Sequence, residues 1–145
     1  MKISAQGLQL LIDREGSKNR AYRDSVGVLT IGIGHAGPDV YEGLIWTDDQ
    51  IKSALAKDIS RFEKAINDGV KVGLKQHQYD ALVSFAFNVG EGAFKTSTLL
   101  KKINAGDFEG AALQFNRWNI PPEIISRRNG EREQFRGARF AARIP

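Results

Sequence analysis

The 145-residue chain is long enough to bury a core as one domain, and a composition of 41% hydrophobic and 26% charged residues excludes a disordered or fibrous protein. With no cysteine it has no disulfide framework, no thiol nucleophile and no cysteine-based metal site. The net charge of +4, weighted towards the stretch from Arg117 to Arg143, suits a polyanion of any kind (nucleic acid, phospholipid or cell-wall polymer) and equally a solvated basic helix.

Ser4 precedes an apolar rhythm at Leu8, Leu11 and Ile12, which predicts a short helix ending at Glu15 with Gly16 as its left-handed stop. That first stretch lacks the apolar length of a signal peptide, and no segment approaches the roughly 20 apolar residues that cross a bilayer. From Ala21 to Ile33, Tyr22, Val26, Val28, Leu29, Ile31 and Ile33 are interrupted by glycines, predicting a small twisted antiparallel sheet of two or three short strands. Thr47-Asp48-Asp49-Gln50 is a capping box, and Ile51, Leu55, Ile59, Phe62 and Ile66 follow at helical spacing up to Asn67-Asp68-Gly69, making the longest helix. Trp46 is expected to flank its start. Over 76–88 the apolar set Tyr79, Leu82, Val83, Phe85, Ala86 and Phe87 wraps most of the circumference, as a helix buried in mid-core requires. Further helices are predicted near 97–104, over 107–117 with Asp107 as N-cap, and from Ile124 to Arg136 or beyond, after the break enforced by Pro121-Pro122. Phe115 and Trp118 are expected in the C-terminal core, and His77 at the surface.

Glu15, Asp24 and Thr30 stand in the pattern Glu-x8-Asp-x5-Thr, running from a helix end into the sheet. A hairpin of that length can fold back so that all three side chains meet at one cleft. Glycoside hydrolysis needs this set: a carboxylic acid to protonate the leaving oxygen, a carboxylate across the sugar, and a hydroxyl to help hold water.

The surrounding residues are more specific. Glu15-Gly16 with Ala21-Tyr22-Arg23-Asp24, then Gly27-Val28-Leu29-Thr30-Ile31-Gly32-Ile33-Gly34-His35, closely resembles the active-site region of the phage-type lysozymes, the endolysins of glycoside hydrolase family 24. Ser84-Phe85-Ala86-Phe87-Asn88-Val89-Gly90 with Gly92 and Phe94, Asp107 with Ala111-Ala112, Phe115 with Trp118, and Arg127-Arg128 extend the likeness over nearly the whole chain. Two departures stand near its end: Asn119 to Ser126 differs from the expected turn, and Gly130 puts a helix-weakening residue inside a helix.

The resemblance implies an α+β, lysozyme-like fold over 1–145: a small antiparallel sheet lobe (about 15–50) and a larger helical lobe (about 67–145 with the first helix), joined by the long helix. It implies hydrolysis of the β-1,4 bond between N-acetylmuramic acid and N-acetylglucosamine in bacterial peptidoglycan, with no metal or other cofactor. Glu15 would be the general acid, Asp24 the base or electrostatic stabiliser and Thr30 the partner of the attacking water. The family's inverting route needs carboxyls about 6.5–9.5 Å apart. Gly34, Phe87 and Asn88 would belong to the sugar-binding cleft, although Asn88 equally suits a helix C-cap. Arg127, with Arg128 as the neighbouring choice, would orient Glu15, and His35 would pair with Asp58. For Glu15, the negative helix end and burial favour the protonated form while a nearby cation opposes it.

A lytic transglycosylase and a non-catalytic cell-wall protein on the same fold are the competing readings. The first works with one glutamate, so Asp24 and Thr30 argue against it. Nucleic-acid binding has only net charge in its favour, and neither a nucleic-acid partner nor stable membrane association is expected. The expected protein is a monomer that accumulates in the host cytoplasm until a separate pore-forming protein opens the way to the wall, as a phage endolysin would.

Overall fold

A computed structural model of the protein describes residues 1–137, so the last part of the basic stretch lies outside the described residues. Helix α1 (Ala5–Glu15) starts at Ser4, whose Oγ accepts from the Gly7 amide at 3.0 Å and donates to Asp80. Asp80 Oδ1 also takes the Ser4 amide at 3.0 Å. A Cβ on Gly7 would lie 2.4 Å from Asp80 Cγ, so the missing side chain is what lets α1 meet α3 so closely. At the other end Gly16 has φ 73° and ψ 177°. That is positive φ, as expected, but with an extended ψ rather than a left-handed turn, and the chain runs straight into the sheet.

The sheet is antiparallel in the order β1 (Lys18–Arg23), β2 (Leu29–Gly32), β3 (His35–Ala36). It begins at Lys18, before the first apolar position of the sequence pattern. The reason is a distant partner: Arg20 bridges Ile45, and the amides of Ala21 and Trp46 bond the carbonyls of Leu44 and Asn19. Exposed Lys18, Asn19 and Arg20 give no apolar alternation to read.

Helix α2 (Asp48–Gly69) has the capping box in place, with Thr47 Oγ1 accepting from the Gln50 amide at 3.2 Å and Gln50 Oε1 from the Thr47 amide at 2.8 Å. Helix α3 (Gln76–Val89) is buried at every position from Tyr79 to Phe87. It lies at the centre of an apolar cluster that also takes Leu11 from α1, Ile33 from the end of the sheet and Phe62 from α2. Each large side chain enclosed there contributes about 1.5–3 kcal/mol. After α3 come α4 (Glu91–Thr96), α5 (Thr98–Asn104), α6 (Phe108–Gln114) and, past two 3-10 turns, α7 (Ile125–Arg136). The stretch between α3 and the helix expected near 97–104 thus contains a further helix, α4, that Gly90 and Gly92 disguise.

Three expectations need correction. His77 is half-buried, its Nδ1 against the carbonyls of Gln134 and Phe135 at 3.2 and 3.1 Å, because α7 ends on that face of α3. Asn88 is not the C-cap of α3: the helix continues to Val89 and closes at Gly90, with φ 95°. Gly130 does not interrupt α7, since a Cβ there would approach Arg14 Nη2 at 3.3 Å and the glycine makes room for that guanidinium. The basic character of α7 is also largely internal. Arg127 and Arg128 are buried against Glu131, and Arg132 and Arg136 pair with Glu133 and Glu109.

Candidate active site

Glu15 is the last residue of α1, at the negative end of the helix dipole. Its side chain is 13% exposed, and Oε2 accepts from Arg127 Nη1 at 2.5 Å. Arg127 is held at its other nitrogens by Glu131 Oε2 at 3.0 Å and the Ser84 carbonyl at 2.8 Å. Burial alone would lower the Arg127 pKa, but the carboxylates of Glu15 and Glu131 outweigh it and hold the guanidinium above the usual arginine value. Of the paired arginines it is Arg127 that reaches Glu15. Arg128 instead spans Glu131, the Trp118 carbonyl and Asn88.

The other oxygen of Glu15 faces Gly34, where a Cβ would sit 2.4 Å from Oε1 and 3.0 Å from Phe87 Cε1. Gly34 has φ 65°, so this tight place is closed to side chains by backbone conformation as well as by space. Phe87 is 8% exposed and packs on Phe62 with ring centroids 5.2 Å apart. Asn88 is exposed and borders a hollow of about 340 Å³ shared with Arg117, Trp118 and Ile120.

Asp24 sits at the turn joining β1 to β2. Its Oδ1 accepts from the amides of Val26 at 3.0 Å and Val28 at 2.8 Å, an Asx-type arrangement that fixes the carboxylate while Oδ2 takes no bond among the described residues. Thr30, 5% exposed, donates its hydroxyl hydrogen to the Val28 carbonyl at 2.9 Å. Thr30 lies opposite Tyr22 across the β1–β2 pair, so both side chains leave the same face. Burial and then the charges of Glu15 and Asp24 raise the Tyr22 phenol pKa.

His35 bonds Asp58 through Nδ1 at 2.7 Å and Asp39 through Nε2 at 2.9 Å, with its ring on Trp46. Burial alone would lower its pKa, but the two carboxylates outweigh that and raise it. Asp39 is in turn held below the usual carboxylate range by His35. Among the described residues no group of three or more His, Asp or Glu side chains is arranged to hold a metal ion. No helix there is long and apolar enough to cross a membrane.

Tyr22, Asp39, Arg14 and Glu131 are the members of these clusters that the motifs do not single out. Glu131 had a signal, since it follows Arg127 and Arg128 by four and three residues, the spacing of helical ion pairs. Asp39 lies in a loop and had none.

Three comparisons bear on this geometry. The phage lysozyme family profile matches residues 13–131, from the turn before Glu15 to the buried carboxylate of α7. An endolysin of Acyrthosiphon pisum secondary endosymbiont phage 1 is 39% identical over 95% of this chain and all of its own length, and the endolysin of Salmonella phage P22 is 38% identical over 93% and 98%. Among solved structures, the muramidase domain of SpmX from Asticaccaulis excentricus superposes with a TM-score of 0.82 at 33% identity, covering 92% of this chain and 97% of that one. A mutant of P22 lysozyme does so with a TM-score of 0.77 at 36% identity, over 94% and 99%. With the match spanning both the carboxylate-bearing sheet and the arginine-bearing helix, the protein belongs to the phage lysozyme family.

Proposed function

We propose that in this peptidoglycan-degrading lysozyme Glu15 is the general acid that protonates the leaving oxygen of the β-1,4 bond between N-acetylmuramic acid and N-acetylglucosamine. The observation that carries the proposal is the unequal setting of its two oxygens. Oε2 is occupied by Arg127, so the transferable proton resides on Oε1, beside Gly34. Asp24 serves as base or electrostatic stabiliser through Oδ2, its other oxygen being bound to the turn. Thr30 has its hydrogen committed to Val28, so its oxygen accepts a hydrogen bond from the attacking water and turns a water lone pair towards the sugar. The cleft runs between a sheet-bearing lobe, about 15–50, and a helical lobe, about 67–145 with α1. Gly34, Phe87 and Asn88 contribute to its wall, Arg127 orients Glu15, and the His35–Asp58 pair ties the sheet to α2. The inverting outcome follows if water attacks from the Asp24 side.

Digestion of purified peptidoglycan by the wild type and by Glu15→Gln, with mass spectrometry of the muropeptides, tests this. Reducing N-acetylmuramic ends from the wild type alone are expected. Anhydro ends would make the protein a transglycosylase, and undiminished products from Glu15→Gln would remove Glu15 as the acid. We further propose that the protein acts as a monomer, without nucleic acid or stable membrane attachment, and stays in the host cytoplasm until a separate pore-forming protein admits it to the wall. The phage endolysins among its relatives support the lytic part of this reading. Lysis on expression of the full chain without a co-expressed pore-former would contradict it, as would a dimer in sedimentation.

A further inference from the structure

Glu131 is fully buried, and both of its oxygens are engaged. Oε2 accepts from Arg127 Nε at 3.0 Å and from the Ser84 hydroxyl at 2.6 Å, and Oε1 from Arg128 Nη1 at 2.6 Å. Arg14, one residue before Glu15, donates to the same Ser84 Oγ at 3.0 Å and to Gln134 at 2.8 Å. Burial pushes the Arg14 guanidinium down to about 10. Three guanidiniums therefore converge on two carboxylates, Glu15 and Glu131. Around Glu15, Arg127 of α7 binds it directly, Arg128 of α7 and Tyr22 of β1 lie within reach of its charge, and Glu131 holds both arginines. A guanidinium beside a carboxylate favours the ionised form over the protonated one, and a proton donor needs the latter.

We infer that Glu131 is a positioning residue for the reaction: it fixes the Arg127 guanidinium and shares its charge, so that Glu15 is oriented by the cation and still holds its proton. This rests on the assignment of Glu15 as the acid. Glu131 is suited to the task because it binds Arg127 and Arg128 at once, and because its own contacts with α3 are neutral: Ser84 supplies a hydroxyl rather than another charge.

The test is the pH profile of kcat/KM on peptidoglycan for wild type, Glu131→Gln and Arg128→Met, beside a carbon-13 NMR titration of the Glu15 carboxyl in each. Removing the negative charge lowers the Glu15 pKa, so in Glu131→Gln the basic limb and the NMR midpoint both move down, by roughly one to two pH units at an effective dielectric constant near 20. Removing a cation reverses the sign, and in Arg128→Met both move up. Lost packing does not produce shifts of opposite sign. Arg128→Met leaves Glu131 paired with Arg127 and keeps an unbranched side chain in the same space, so the sign still decides if Glu131→Gln does not fold. Midpoints within about 0.3 unit of wild type in the folded variants would overturn the inference. Glu15→Gln separates the two claims: if it remains active the acid is misassigned, whereas the NMR midpoints report on Glu131 whichever group is catalytic.

Discussion

Replacing Gly34 with alanine would place a methyl carbon 2.4 Å from Glu15 Oε1, 2.8 Å from its Cδ and 3.0 Å from Phe87 Cε1. The nearest of these is about 1 Å inside the optimal separation of roughly 3.5 Å. The phenylalanine is packed on Phe62 and Oε2 is tied to Arg127, so the carboxylate turns away and loses its alignment. A non-glycine residue at φ 65° costs about 1–2 kcal/mol, and an off-rotamer glutamate adds about 0.5–1.5 kcal/mol. The expected loss of stability is therefore about 2–3 kcal/mol by urea denaturation. A displacement near 1 Å in a reacting group costs on the order of 100-fold in rate, and it falls on kcat rather than KM. Gly43→Ala is the control: its φ is 86° but nothing lies within 4 Å of the added carbon, so it bears the backbone strain with full activity. Folded Gly34→Ala protein with kcat within about threefold of wild type would show that the Oε1 position plays no part in the chemistry.

His35→Asn is expected to be less stable than wild type by a margin that depends on pH. The raised His35 pKa makes its contribution complete below about pH 6.5 and lost as pH rises through the folded value, while the lowered Asp39 pKa makes its share present above about pH 4 and lost on acidification. The melting-temperature difference is thus largest between those limits, and a constant difference from pH 5 to 8 would refute the assignment. Arg127→Ala leaves Glu131 and Glu15 short of a partner, and a stability loss of about 3–5 kcal/mol with a basic limb shifted upward in pH is expected from denaturation and kinetics; an unchanged pH profile would exclude its orienting role. Gly7→Ala, which in an isolated helix would gain about 1 kcal/mol, is expected to lose about 2–4 kcal/mol because the methyl displaces Asp80 from the start of α1, and calorimetry showing stabilisation would contradict the close packing.

The parts of this arrangement that the chain announces are those written in local pattern. The capping box at Thr47 and the apolar circumference of α3 each depend on residues a few positions apart, and each of the two helices forms where the pattern puts it. The start of β1 escapes because Lys18 pairs with Gly32 while Asn19 to Ala21 bond Leu44 to Trp46, and polar residues there leave no alternation. Helix α4 escapes because its flanking glycines read as a turn. Tyr22 looked like one more strand aromatic, and only the register with Thr30 shows that the two side chains share a face. The arginines of α7 looked like a solvated face. Their burial follows from Glu131 and from Gly130, whose lack of a side chain admits Arg14 from the other end of the chain.

The two carboxylates stand on separate foundations. Glu15 is anchored through Arg127 and Ser84 to the helices, whereas Asp24 is anchored, among the described residues, to its own turn by the amides of Val26 and Val28. Changes of length or sequence between Asp24 and Val28 therefore move one carboxylate and leave the other's surroundings intact. A hairpin that can be redrawn without disturbing the acid gives this scaffold an independent adjustment of the space between them, and with it a route from one stereochemical course to another.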